Sequence, residues 1–173
     1  MKMLIVYSSR TGNTKKVGEA IRDALPGETV FLPVDQAPED IQSYDLIFVG
    51  FWADRGSADE QTAQFLAGLH HARVALFATA GVYPDSDHAR QCLDNAAGLL
   101  PPDNQVAGRY ICQGRVDPEV VKRVAARFPA GHPHSMTPER KARLAEASRH
   151  PNEEDFQKAR QFALRTAADA EGK

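Results

Sequence analysis

This sequence is poor in cysteine, in long apolar runs and in charge of one sign. Its two cysteines, Cys92 and Cys112, form neither a CxxC pair nor a zinc-ligand pattern. That excludes a disulfide framework and points to a reduced, cytoplasmic setting. No apolar run approaches the ~20 residues of a membrane span, and the opening "KMLIVY" is too short, and lacks the cleavage region, for a secretory leader. Lys and Arg number 21 against 23 Asp and Glu, a formal net charge of −2. Such a balance gives no ground for a polyanionic partner, so neither nucleic acid nor a membrane surface is expected. There is no internal repeat and no low-complexity segment.

What is present fits one globular domain covering 1–173: 42% of residues are hydrophobic and 25% charged, enough for a single good core. Short β-rich runs at 3–7, 28–34, 45–50, 73–79 and 106–112 predict five strands. Pro33 weakens the second and places it near an edge. Helical spacing fills the gaps. In 14–25, Val17, Ala20, Ile21, Ala24 and Leu25 share a face before Pro26-Gly27, and helices follow at 58–69 and about 87–100. This alternation predicts an α/β fold, a parallel sheet with helices on both faces. The last third adds helices at 117–128, 138 to about 148 and about 152–170, with Thr137-Pro138 and Asn152 as start signals. Residues 128–150 read as a helical elaboration before the last helix.

Between the first strand and first helix stands "IVYSSRTGNTKKV", residues 5–17. Ligands of open α/β sheets bind beyond the carboxyl ends of the strands. A helix starting near Asn13 aims its free N–H groups and positive dipole end there. Gly12 lets the backbone approach closely, and Ser9, Thr11, Asn13 and Thr14 add polar side chains. Together these suit a terminal phosphate. The turn contains neither GxxxxGK[ST] nor GxGxxG, which argues against a P-loop and a dinucleotide turn. It has no cysteine, which argues against a thiolate phosphatase. Strand three ends in Val49-Gly50 without an Asp, which disfavours a phospho-acceptor receiver.

The stretch "SRTGNT" (9–14) resembles the [ST]-x-T-G-x-T phosphate loop of flavodoxins, which bind FMN. The resemblance spans residues 1 to about 112 and the last helix. It implies a flavodoxin-like, doubly wound five-stranded sheet of order 2-1-3-4-5, with Ser9, Thr11, Gly12, Asn13 and Thr14 holding the FMN phosphate. Arg10 departs from the family's usual neutral residue; it either adds charge to the phosphate site or faces solvent.

A flavin ring needs flat apolar walls and a polar edge. After strand three comes "GFWADRGSAD", with the only tryptophan, Trp52, between Phe51 and Ala53. The resemblance makes Trp52 the stacking candidate. The family's glycine, whose peptide flips on flavin reduction, is missing: Ala53 and Asp54 follow Trp52, and Gly56 comes later. After strand four comes "TAGVYPDSD". Here Thr79, Ala80 and Gly81 are expected along the ring's uracil-like edge, and Tyr83 either on its outer face or in the turn before Pro84. Gln113 or Gly114 is a further approach to the ring. Asp85, Ser86 and Asp87 suit a helix start rather than catalysis, so no catalytic residue is assigned. His132 and His134 flank Pro133 without a third ligand nearby, so no metal site is expected. His70 and His71 end a helix, while His88 and His150 carry no assignment. Cys112 reads as a small core residue. Arg140, Lys141, Arg143 and Arg149 read either as a solvated helix face or as a docking patch for an acidic partner.

The resemblance implies an FMN-binding electron-transfer protein that delivers electrons to a partner redox enzyme, a reductase, by transient contact. Asp54 and Asp59 would disfavour the reduced anion. The alternative is an NAD(P)H-dependent FMN or quinone reductase on the same fold, and a third possibility is a flavin-free scaffold. Monomer and dimer stay open. Flavodoxins are strongly acidic and this chain is nearly balanced, so steering toward a basic partner should be weak. The C-terminal elaboration resembles a flavodoxin subgroup of anaerobic bacteria that accompanies partner reductases.

Overall fold

Each central strand is apolar at every position because both of its faces are covered. Strand β1 (Lys2–Tyr7) sends Met3 and Ile5 to one face and Leu4 and Val6 to the other, all four fully buried. The same alternation runs through β3 (Leu46–Asp54) and β5 (Arg73–Ala80): Phe48 and Phe77 join the first layer, and Val49, Phe51 and Leu76 the second. Such two-sided burial is the mark of a parallel sheet between helices.

The computed structural model describes residues 1–129, 131–132 and 135–172. After β1 the chain forms α1 (Asn13–Ala24), β2 (Glu28–Pro33), β3, a two-residue β4 (Ser57–Ala58), α2 (Glu60–Ala67), β5, α3 (Asp87–Ala97), β6 (Gln105–Gln113), α4 (Pro118–Arg127), α5 (Pro138–Ala147) and α6 (Glu153–Glu171). The sheet order is β2-β1-β3-β5-β6, these neighbours all parallel, with β4 antiparallel against the end of β3. Counting the five parallel strands alone, the order is the expected 2-1-3-4-5. Pro33 ends β2, which is an edge strand.

Helices α1 and α6 cover one face, through Val17, Ile21, Ala159, Phe162 and Ala163. Helices α2 and α3 cover the other, through Leu66, Leu93 and Ala96. Asn152 and Asp155 start α6 as a reciprocal capping box, in which the Asp155 carboxylate accepts from the Asn152 N–H at 2.8 Å. Cys112 is a core residue, as expected, and burial pushes its thiol up to about 12.

Three sequence expectations change. Strand three does not stop at Gly50 but runs on to Asp54, so Trp52 and Ala53 lie in a strand instead of a loop. Arg55 and Gly56, with φ of 48° and 80°, then form a two-residue hairpin into β4, the backbone a tight turn with matching twist requires. The second helix begins at Glu60, with Asp59 as its cap. Asp59 is buried and accepts from the Thr62 hydroxyl at 2.9 Å, so its charge serves the helix start rather than a flavin.

Candidate FMN site

The first turn is assembled from local and distant bonds. Gly12 sits just before α1 with φ of 87°, a conformation costly for any residue with a Cβ. A Cβ built there would meet nothing within 4 Å, so the backbone faces open space. The leading N–H groups of α1 have no intrahelical acceptor and end at this opening. The Ser9 hydroxyl accepts from the Lys15 N–H at 3.3 Å, capping the helix start. Thr14 is 1% exposed and its hydroxyl lies 2.9 Å from that of Thr79 on β5. The Asn13 amide donates to the Arg115 carbonyl at 2.9 Å. A Cβ on Gly114 would come within 2.8 Å of that same amide and 3.2 Å of the Thr79 Cβ, so the chain packs tightly where β6 ends.

A cleft of about 200 Å³ opens over this turn at the carboxyl ends of β1, β3, β5 and β6. Arg10, Thr11 and Asn13 line it from the turn, Trp52, Ala53 and Asp54 from β3, and Thr79, Ala80 and Gly81 from β5. The far wall is Gly114 to Asp117 with Val120 of α4. Arg10 spans the cleft. Its guanidinium carbon lies 5.4 Å from the centre of the Trp52 ring, and its Nε donates to the Asp117 carboxylate at 3.3 Å. The Glu119 N–H and then Arg10 hold the Asp117 carboxyl below the usual range. Arg10 is thus exposed, lies at the cleft and is paired with Asp117.

The structure brings together most of the residues singled out from the sequence and sets four apart. Phe51 is fully buried on the α2–α3 face and does not line the cleft, because its neighbour Trp52 takes the opposite face of the strand. Tyr83 is 43% exposed and belongs to a separate groove with Ser86, His88, Arg140 and Arg143. Ser9 and Thr14 spend their hydroxyls on the protein, one on the helix cap and one beneath the turn. Val116, Asp117 and Val120 were not foreseen; the Asp117-Pro118 start of α4 was the signal that a helix end would arrive here. His150 was also passed over. It contacts Asp155 at 2.6 Å through Nδ1 and Glu146 at 3.4 Å through Nε2, and its carbonyl accepts from the Arg115 N–H at 3.0 Å. Burial opposes its charge, but Asp155 and then Glu146 outweigh that and raise its pKa.

No group of His, Cys, Asp and Glu suited to a metal occurs among the described residues. Of the expected His-x-His pair, His132 stacks on Phe128 with centroids 4.6 Å apart, and His134 lies outside the described residues. His70, expected at a helix end, bonds to Asp103 at 2.9 Å.

A parallel sheet of this order, with a polar turn after β1 that opens at the strands' carboxyl ends and an indole wall from β3, is the arrangement of a flavodoxin-like protein. The flavodoxin-domain family model matches residues 4–164, and the chain belongs to that family. It is 29% identical over 166 residues, 94% of each chain, to the flavodoxin-like domain-containing protein BilS of Clostridioides difficile (strain CD3). It is 30% identical over 139 residues to the BilS of Clostridium symbiosum (strain WAL-14163), covering 71% of this chain and 73% of that one. Among solved structures, a short-chain flavodoxin associated with a non-canonical PDU bacterial microcompartment aligns with a TM-score of 0.59 at 14% identity, over 98% of this chain and 99% of that one. A Lactobacillus acidophilus flavoprotein in complex with FMN aligns with a TM-score of 0.53 at 20% identity, over 70% of this chain and 97% of that one. Family membership and the donor set of the turn agree on FMN as the cofactor.

Proposed function

We propose that this chain is an FMN-binding electron carrier that passes electrons to a partner redox enzyme, with all of 1–173 acting as one unit. The observation that carries the reading is the meeting of the α1 turn and the Trp52 wall in one open cleft. When bound, FMN supplies the electron-accepting chemistry. The Thr11 hydroxyl and the leading α1 amides would bind its phosphate, and Trp52, Ala53 and the Thr79–Gly81 segment would position its ring. Arg10 adds positive charge at the mouth, where a dianionic ester gains most.

The family's flipping peptide has no counterpart of equal freedom here. Ala53 and Asp54 are paired with Ala58 and Ser57 of β4, and the Gly56 carbonyl accepts from the Asn95 amide at 2.7 Å. The chain therefore presents a fixed backbone beside Trp52. Two free, buried cysteines fit a reducing cytoplasm, and no helix among the described residues is long and apolar enough to cross a membrane.

Stopped-flow absorbance of the FMN-loaded protein tests the reading. An added flavodoxin-type reductase should reduce the flavin rapidly, while NADPH alone should not. Rapid reduction by NADPH alone would make the chain a reductase instead of a carrier.

A further inference from the structure

Helix α4 is amphipathic yet buries no residue completely. Its Val120 and Val124 fall one turn apart on the same side and face Leu144 of α5 across a groove of about 350 Å³. Val116 and Met136 line the groove and Phe128 stands in its wall. All six side chains are only half-buried, so among the described residues the apolar surface is gathered into one groove. The volume falls within the roughly 300–1,000 Å³ of small-molecule sites.

The same groove holds two guanidinium groups, from Arg140 and Arg143, three residues apart on α5. The Arg140 Nη1 donates to the Ser135 carbonyl at 3.1 Å, which ties that side chain to the loop before α5. The Nε of Arg143 is buried and meets no acceptor among the described residues. A buried donor without a partner is costly, and an anion is the complementary partner. Local charge agrees. Residues 115–149 contain eight Lys and Arg against four Asp and Glu, whereas the whole chain is formally −2. A planar carboxylate matches the guanidinium fork in shape as well as charge.

We propose that the α4–α5 groove binds an apolar carboxylate, with its hydrocarbon body along Val120, Val124 and Leu144 and its carboxylate on Arg143. Gly81, Val116 and Val120 line this groove and the flavin cleft alike, so the ligand rests against a wall of the cofactor site. The inference goes beyond the electron-carrier reading and does not depend on it.

The test uses the fluorescent apolar anion 8-anilinonaphthalene-1-sulfonate on the full chain, with and without FMN. Saturable one-to-one binding is expected, displaced by dodecanoate but not by dodecyltrimethylammonium. Arg143→Gln should weaken dodecanoate at least fivefold, Arg143→Lys should retain part of the affinity, and Val124→Glu should abolish displacement by placing a like charge in the groove. Far-UV circular dichroism and an unchanged thermal midpoint establish that the variants are folded. Equal displacement by the cationic amphiphile would overturn the proposal and leave the groove as a face for protein docking. So would indifference of dodecanoate binding to both Arg143→Gln and Val124→Glu. Loss of FMN binding with dodecanoate binding intact would instead strike the cofactor reading and leave the groove standing.

Discussion

Thr14 and Thr79, 65 residues apart in sequence, meet hydroxyl to hydroxyl at 2.9 Å beneath the first turn. This buried bond joins the start of α1 to the end of β5, the two elements that frame the cofactor cleft. Thr14→Val strands the Thr79 hydroxyl and should cost about 1–3 kcal/mol in urea denaturation. Thr14→Val with Thr79→Val removes both partners at nearly constant shape, so stability should largely return. FMN affinity should return with it if Thr14 only supports the turn. A double variant that is stable but still binds FMN poorly would mean that the Thr14 or the Thr79 hydroxyl itself contributes to FMN binding.

Thr11 differs from Thr14 in being exposed at the cleft. Thr11→Ala removes a hydrogen bond to a charged group, worth roughly 1.5–3 kcal/mol, so FMN should bind at least tenfold more weakly by fluorescence titration. Riboflavin, which lacks the phosphate, should bind the variant and the parent alike. Equal losses for both ligands would mean that the substitution disturbs the ring site instead.

Trp52 is the only tryptophan, so its emission reports on the cleft directly. FMN should quench it on binding. Trp52→Ala removes the aromatic wall and should weaken FMN by a factor of about 2–13, the ~0.5–1.5 kcal/mol of an aromatic pair. The midpoint potential should rise as well; an unchanged potential would count against stacking.

His150 predicts a pH dependence. Its pKa is raised in the folded chain by Asp155 and Glu146 against the opposing effect of burial. A raised folded value favours the protonated fold. The contribution is therefore complete below the unfolded value of about 6.5 and fades as pH rises through the folded one. Thermal unfolding should show stability falling from pH 6 toward pH 8, with a flatter profile in His150→Gln. Because the His150 carbonyl also accepts from Arg115, hydrogen exchange at Arg115 should follow the same profile. Parallel profiles for parent and variant would place the dependence elsewhere.

Much of this molecule was legible along the chain because the signals are local. Strands buried on both faces must be apolar at successive positions, and "MLIVY" is. A tight turn into a helix needs a residue free to adopt positive φ and polar neighbours, and "SRTGNT" has both. Helix ends were marked by the Thr137 and Asn152 caps and by Pro, which act within one turn.

What the chain left open was decided by neighbours distant in sequence. Trp52 and Phe51 are adjacent and both aromatic, yet one lines the cleft and the other is core, since the pleat of β3 sends them to opposite faces. Arg55 and Gly56 could have remained a loop; their carriage into a hairpin shows only once β4 pairs back and Asn95 of α3 holds the Gly56 carbonyl. Tyr83 stands in the turn expected to meet the ring, but packing places it among α5 residues. His150 gained its importance from Glu146 and Asp155, and Arg143 its buried Nε, without an acceptor among the described residues, from its place in the α4–α5 groove. Hydrophobic periodicity says which side of an element is buried. Only the assembled fold says against what, and that choice of partner sets charge, access and chemistry.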